Sequence, residues 1–122
     1  MTFDPAQTSR EDVRQKFMDI LKERILVIDG ATGTALQELD LTAEDFGGED
    51  LYGCNENLIL TRPEVIRSVH RRYLEAGADC IETNTCGATP LVLDEYSLGH
   101  LALEINEVGA KLAREEADAL ST

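Results

Sequence analysis

The sequence is poor in the residues that mark disulfide-rich, nucleic-acid-binding and membrane proteins. Its 122 residues include three cysteines, no tryptophan, and 11 Lys and Arg against 24 Asp and Glu, for a formal net charge of −13. Three unevenly spaced cysteines argue against a disulfide framework and favour a reducing compartment, so we expect a cytoplasmic protein. The acidic balance argues against nucleic acid and anionic membrane as partners, because proteins bind both with Lys and Arg.

Long apolar runs are also missing. Residues 25–28 form one of the longest uncharged apolar runs, far too short to cross a bilayer, and residues 1–9 lack the apolar region of a signal peptide. Hydrophobic residues nevertheless make up 43% of the chain and recur throughout it. This pattern excludes an acidic disordered tail and fits one compact domain, or part of a larger one.

The first quarter of the sequence predicts a helix followed by a strand. Residues 9–24 carry apolar side chains at helical spacing, with Ser9 as the cap. The predicted inner face of this helix consists of Val13, Phe17, Ile20 and Leu21. Residues 25–28 follow as a short strand buried on both faces, which ends abruptly in Asp29-Gly30.

A second helix and a second strand follow a long acidic segment. Residues 40–57 contain several glycines and are predicted to form a loop. Residues 61–76 are predicted to form a helix that begins with a capping box between Thr61 and Glu64 and stops at Gly77. Its predicted inner face consists of Val65, Ile66, Val69 and Tyr73.

The rest of the sequence completes a βαβα order. Residues 79–85 are predicted as a strand, Thr89-Pro90 starts a short helix, and a last helix ends near residue 120. Its inner face consists of Leu101, Ile105, Val108 and Leu112. Charged pairs such as Arg71-Arg72 and Glu115-Glu116 are predicted to be solvated helix faces. The βαβα order implies parallel strands joined by a right-handed crossover.

Both predicted strands end in polar residues, and these are the candidate site. Asp29-Gly30 follows the first strand, and residues 82–89 supply hydroxyl, amide and thiol groups after the second. Sites in parallel α/β folds form at the carboxyl ends of strands. Both groups are therefore expected side by side at that end of the two strands, called the mouth below, where they could hold an amino-acid substrate. Two structural interpretations stay open: Asp29 caps the following turn, and residues 82–89 make only local backbone hydrogen bonds.

Asp29 also allows a more distant interpretation as a phosphoryl-accepting nucleophile. Aspartyl-phosphate phosphotransferases end a strand in Asp followed by Thr and Gly. Here Asp29 is followed by Gly30-Ala31-Thr32, one residue out of step with that pattern. The G-x-G-x-x-G spacing of a dinucleotide site is absent.

The cysteines and histidines are not spaced as metal ligands. Cys80 lies in a predicted strand and is expected to be a core residue, whereas Cys54 lies in the loop and Cys86 at the predicted mouth. His70 and His100 are predicted to have surface or helix-terminal roles and not catalytic ones. The sequence therefore predicts no catalytic residue and no metal ligand within this chain.

Five blocks of sequence, in order, resemble one known family. They comprise residues 25–37, 53–58, 61–66, 70–79 and 81–85. These blocks resemble the start of the homocysteine-binding (homocysteine S-methyltransferase) domain of the cobalamin-dependent methionine synthases, a barrel shared with the betaine–homocysteine methyltransferases. The resemblance runs from about residue 21 to the last helix.

The resemblance implies an α/β fold, namely the first two βα units of a (β/α)8 TIM barrel preceded by an N-terminal helix. Residues 1–24 would be a helical extension, and residues 25–122 an incomplete homocysteine-binding barrel. The chain is then an N-terminal fragment of a methyltransferase, inactive without the rest of the barrel. Its partners would be homocysteine, the remaining barrel, and the cobalamin and folate modules of the full enzyme.

The resemblance also implies substrate-binding residues. Asp29 and Gly30 would hold the amino-acid moiety of homocysteine, Thr83 would belong to the second strand-end motif, and Cys86 stands where the family has an aromatic residue. In the complete enzyme, zinc would lower the thiol pKa of homocysteine, and the thiolate would attack the methyl group of methylcobalamin. The family's zinc ligands are cysteines late in the barrel, so this chain alone is not expected to bind either cofactor tightly.

One alternative from a different functional class remains. A quarter of a barrel leaves parallel strand edges unpaired, and such edges seek partners. The chain would then be a non-catalytic module that self-associates into a homo-oligomer through these edges and its apolar helix faces.

Overall fold

The computed structural model describes Asp4 and residues 6–121, and this part of the chain is mainly helical. No helix in these ranges combines the length and apolarity needed to cross a bilayer. The α-helices are α1 (Arg10–Glu23), α2 (Thr32–Gln37), α3 (Ala43–Phe46), α4 (Leu58–Thr61), α5 (Pro63–Glu75), α6 (Pro90–Leu93) and α7 (Ala102–Leu120). Single-turn 3-10 helices are formed by Glu49–Leu51, Asn55–Asn57, Asp94–Tyr96 and Gly99–Leu101.

Helix α1 has the predicted cap but not the predicted burial. The Ser9 hydroxyl accepts a hydrogen bond from the Asp12 N–H at 3.1 Å, and the Asp12 carboxylate accepts one from the Ser9 N–H at 3.1 Å. These reciprocal bonds form a capping box. The predicted inner face is wrong, since no residue of α1 is buried and Phe17 remains 45% exposed. The described part of the chain therefore leaves this apolar face uncovered.

The two predicted strands are extended segments that pair at one point. Ile28 and Cys80 form an isolated parallel bridge, and the Asp29 N–H donates to the Cys80 carbonyl at 3.0 Å. Longer strands are not formed within the described residues. The predicted burial on both faces is wrong here, because Ile25 is 86% and Ile28 58% exposed. A pair of strands without neighbours is marginal in water, so the (β/α)8 barrel remains a prediction.

Asp79 ties the second extended segment to the end of α1. Its carboxylate accepts hydrogen bonds from the Arg24 guanidinium at 2.7 and 2.8 Å and from the Val27 N–H at 2.9 Å. The Arg24 hydrogen bonds, followed by the Val27 N–H, lower the pKa of Asp79 to about 2 from its ordinary 3.8. The start of the candidate site is thus fixed by a charge-assisted contact.

We expect this contact to appear as an acid dependence of stability. Because folding lowers the pKa of Asp79, its contribution is present above about pH 3.8 and is lost as pH falls through about 2. Asp79→Asn should lower the melting temperature at neutral pH and reduce the loss of stability across that acid window. Circular dichroism melts across this range test it, with Asp50→Asn as an exposed control. Identical acid profiles for wild type and Asp79→Asn would contradict the assignment.

The hydrophobic core lies where α5 packs against α7, with α4 beside them. The predicted inner faces are confirmed at Ile66 and Val69 of α5 and at Ile105 and Leu112 of α7, all of which are buried. The predicted solvated face is wrong at Glu116, which is 3% exposed. Its carboxylate lies between the two helices and accepts hydrogen bonds from arginines of α5.

The boundaries of α5 are correct at one end only. Gly77, with φ of +104°, directly follows the C-terminal cap Ala76, as predicted. The predicted capping box is wrong, because α5 begins at Pro63 and Arg62 provides no side-chain cap. Thr61 instead ends α4, and its hydroxyl donates to the Asp45 carbonyl at 2.6 Å. A long-range contact therefore displaces the local cap.

Residues 40–57 are more ordered than the predicted loop. They contain α3 and two single-turn 3-10 helices. A capping box between Thr42 and Asp45 starts α3, and Gly47 ends it with φ of +108°. The buried Phe46 ring meets Tyr52 edge to face, with 5.3 Å between the ring centroids. This segment is consequently folded against the helical body, next to the ends of the extended segments.

Candidate functional site

The ends of the two extended segments meet at Asp29. Its N–H donates to the Cys80 carbonyl, and its Oδ1 atom accepts a hydrogen bond from the Glu82 N–H at 2.8 Å. The parallel bridge at Ile28 and Cys80 sets this register. The structure therefore brings Asp29 beside residues 82–85, the juxtaposition that the sequence predicts, although the contact itself is to backbone.

Asp29 has one oxygen engaged and one that is buried without a partner. Oδ2 has no hydrogen-bond partner among the described residues. Gly30 is exposed, and a Cβ atom placed on it would meet nothing within 4 Å. Ala31 adopts a left-handed conformation with φ of +49°, which non-glycine residues seldom adopt without a compensating structural reason. The turn after Asp29 therefore combines backbone strain with open space.

The second cluster places two hydroxyl groups and a thiol near this turn. The Thr83 and Thr85 hydroxyls lie 2.7 Å apart and hydrogen-bond to each other, and Thr83 is exposed. Cys86 is exposed and free. The predicted helix start at Thr89 is confirmed, since its hydroxyl accepts from the Val92 N–H at 3.3 Å. Local backbone bonding and a surface open to ligand thus coexist in this cluster.

Two residues of the 3-10 turn Asn55–Asn57 accept hydrogen bonds from the second cluster, and a third anchors the turn to Phe46; sequence reasoning missed these contacts. The Asn84 side chain donates to the Asn55 carbonyl at 2.9 Å, and the Gly87 N–H donates to the Glu56 carboxylate at 3.1 Å. The Asn57 side chain donates to the Phe46 carbonyl at 2.7 Å. The block at residues 53–58 was the available signal, but its spacing alone does not reveal these partners.

Two glycines allow the close packing of the second cluster. A Cβ atom on Gly87 would lie 2.5 Å from a carboxylate oxygen of Glu56, and one on Gly109 would lie 2.8 Å from Cγ2 of Thr85. Gly109 is buried in α7. Helix α7 therefore packs directly behind the hydroxyl cluster, which a larger residue at Gly109 would displace.

His70 occupies a position that the sequence did not predict. The expectation of a surface or helix-terminal role is wrong, because His70 is 1% exposed and neither ring nitrogen has a hydrogen-bond partner among the described residues. Burial lowers the pKa of His70, while the charges of Asp29 and then Glu116 oppose that shift. His70 is therefore a buried, unpaired polar group whose pKa the charge of Asp29 acts to raise.

With this geometry established, residues 26–122 match the family described as Homocysteine S-methyltransferase. The chain belongs to the homocysteine S-methyltransferase family. It is 46% identical over 105 residues to the methionine synthase of Mycobacterium tuberculosis (strain ATCC 25618 / H37Rv), an alignment that covers 86% of this chain and 9% of that protein. The methionine synthase of Mycobacterium leprae (strain TN) is 46% identical over 105 residues, covering 86% of this chain and 8% of that protein. The chain thus spans less than a tenth of these relatives.

The region that matches the homocysteine S-methyltransferase family contains the whole candidate site. Residues 26–122 include Asp29, Gly30, Thr83 and Cys86, whereas α1 lies outside them. The likeness to methionine synthases supports a methyltransferase context for the chain. It does not assign these four residues their individual roles.

The residues that the structure describes do not fit a zinc site. Cys54 is buried, Cys80 half-buried and Cys86 exposed, and all three are free. Burial raises the pKa of the Cys54 thiol, which disfavours the thiolate that zinc requires. No group of three or more His, Cys, Asp or Glu side chains in the described ranges is arranged to hold a metal ion.

Proposed function

We propose that this chain forms the substrate-binding start of a homocysteine-binding (β/α)8 barrel in a methionine synthase. The observation that carries the proposal is the contact of Asp29 with Glu82, which joins the ends of two parallel-paired segments beside Thr83. Family membership supplies the substrate class. The three free cysteines suit a reducing compartment such as the cytoplasm.

In this proposal the chain holds the amino-acid end of homocysteine. The Asp29 carboxylate faces the substrate ammonium, and the open surface at Gly30 gives the ligand access to the backbone. The Thr83 hydroxyl offers a donor and an acceptor beside them, and Cys86 lies at the rim. Zinc and methylcobalamin would be held by other parts of the complete enzyme, where zinc would activate the substrate thiol and the cobalamin would carry the methyl group.

A chimera provides the direct test of this function. The 105 aligned residues of the M. tuberculosis methionine synthase are replaced by those of this chain, and homocysteine-dependent methionine formation is measured. We expect activity at a level set by the rest of that enzyme. A folded chimera with the parent's zinc content but no detectable homocysteine binding would contradict the proposal.

The isolated chain is predicted to retain no zinc. Tight binding needs three or four converging ligands, and the described side chains provide no such group. After incubation with zinc and dialysis against a chelator, atomic absorption should find far less than one zinc ion per chain. Stoichiometric zinc would contradict this prediction and would require ligands that the fold does not bring together.

A self-associating module is the second candidate function, and the uncovered apolar surface of α1 favours it. On α1, Phe17 is 45% and Leu21 44% exposed, and Ile25, which follows the helix, is 86% exposed. If copies associate through this surface, sedimentation should show oligomers that Phe17→Glu disrupts. Leu103→Glu on α7 is the matched control, since Leu103 is 72% exposed but lies on a different helix. A monomer at all concentrations would exclude self-association.

A further inference from the structure

His70 and Asp29 are complementary groups that lack partners. The buried side-chain atoms with no hydrogen-bond partner in the described structure are Asp29 Oδ2 and both ring nitrogens of His70. A neutral imidazole carries one N–H donor and one acceptor nitrogen, and a carboxylate offers only acceptors. Leaving such groups unpaired in a protein interior is costly. The unpaired donor of His70 therefore matches the unpaired acceptor of Asp29.

The other carboxylate that influences His70 is already occupied. The charge of Glu116 also acts to raise the pKa of His70, but the Glu116 oxygens accept hydrogen bonds from Arg71 at 2.9 and 2.9 Å and from Arg67 at 3.5 Å. Asp29 uses only Oδ1, which accepts from the Glu82 N–H. Of these two carboxylates, Asp29 is the one with an oxygen left for the imidazole.

We propose that His70 is the positioning residue for Asp29, its ring N–H serving Asp29 Oδ2 through one bridging water, since these buried atoms make no direct hydrogen bond. The carboxylate is then fixed at both oxygens, by the Glu82 backbone on one side and by α5 on the other. A fixed carboxylate is a better ligand for a substrate cation than a freely rotating one, because less rotational entropy is lost on binding.

The burial of His70 determines whether its ring carries a charge. Burial lowers the pKa of His70, so the ring is neutral at pH 7 and leaves the negative charge of Asp29 available. A protonated ring would neutralise Asp29 and compete with a substrate ammonium. The competition with a substrate ammonium rests on the proposed function, whereas the pairing of His70 with Asp29 does not.

The chain is well suited to a test by nuclear magnetic resonance because it contains only two histidines. Long-range proton–nitrogen spectra of the full chain follow both imidazoles as pH is varied, with the exposed His100 as the internal reference. In the wild type we expect His70 to be neutral at pH 7, in one tautomer, with a pKa below the ordinary imidazole value of 6.5. Asp29→Asn should lower the pKa of His70 by roughly 1 unit and leave His100 unchanged.

Glu82→Gln is the matched control, since it removes a charge at the same mouth but keeps the backbone N–H that Asp29 uses. Glu82→Gln should leave the pKa of His70 unchanged. If Asp29→Asn loses its dispersed amide spectrum, Asp29→Glu replaces it, because moving the carboxylate by one methylene should also change the His70 tautomer or pKa. A His70 titration that no Asp29 variant alters would overturn the proposal. No homocysteine is used, so failure of the proposed function would not change this outcome.

Discussion

Replacing both Arg67 and Arg71 with methionine is expected to lower the melting temperature by roughly 10–20 °C. Both arginines hydrogen-bond to Glu116, whose side chain is 4% exposed in the interface of α5 and α7. The double variant leaves that carboxylate buried without a cation. A stranded buried charge of this kind costs about 3–5 kcal/mol, a large part of the stability of a small domain. Thermal and urea unfolding of the two proteins provide the measurement.

A triple variant separates the stranded charge from lost packing. Adding Glu116→Leu to the double variant removes the buried carboxylate, and replacing a whole buried ionic network by apolar residues is often neutral or stabilising. Most of the lost melting temperature should return. Lys22→Met serves as the exposed control, because the pair of Lys22 with Asp19 is 67% and 54% exposed and contributes little. An unchanged melting temperature in the double variant would show that the network does not stabilise the fold.

The features predicted correctly from the sequence are those that local chemistry determines. Ser9 caps α1, Thr89 caps α6, and Gly77 ends α5 because each acts within a few residues of its own position. The inner faces of α5 and α7 follow from apolar spacing in the same way. The parallel direction of the bridge between Ile28 and Cys80 follows from the βαβα order.

The errors arise where a distant partner decides the outcome. Glu116 belongs to a charged pair that the sequence assigns to solvent. Its side chain is nevertheless buried, and it accepts hydrogen bonds from arginines 45 and 49 residues away. Thr61 does not cap α5 as expected, and its hydroxyl instead donates a hydrogen bond to a carbonyl 16 residues away. His70 is indistinguishable in sequence from a surface histidine until α5 is packed against its neighbours. No spacing rule contains these contacts, because tertiary packing creates them.

The candidate site is predictable from the sequence only in part. The meeting of Asp29 with residues 82–85 follows from parallel strand order, and the sequence predicts it. The supporting contacts of Asn55 and Glu56 do not follow, because they join a segment predicted as a loop to residues 84–87. The sequence thus indicates which residues share the mouth, and the structure adds what holds them there.

Within the methionine synthase chimera, Asp29→Asn is expected to raise the homocysteine KM roughly tenfold to a hundredfold. A charge-assisted contact to the substrate ammonium is typically worth about 1.5–3 kcal/mol. The neutral asparagine side chain cannot replace the negative charge of the Asp29 carboxylate in that contact. The fold should be retained, since the amide oxygen can still accept the hydrogen bond from the Glu82 N–H that Oδ1 accepts in the wild type. Zinc content should not change, because Asp29 is not proposed as a ligand.

Asp29→Ala distinguishes this role from a purely structural one. Alanine removes both the charge and the acceptor for the Glu82 N–H, so it should raise KM as asparagine does and also destabilise the chain by about 0.5–1.5 kcal/mol, the net value of one hydrogen bond. If Asp29 only held the two segments together, asparagine would leave both properties near wild type and alanine would lower the melting temperature without a specific effect on homocysteine. Steady-state kinetics and thermal unfolding on the same preparations decide between the two roles. An unchanged KM in Asp29→Asn would rule out the substrate contact, because its charge is the one property that this substitution removes while leaving the backbone hydrogen bond in place.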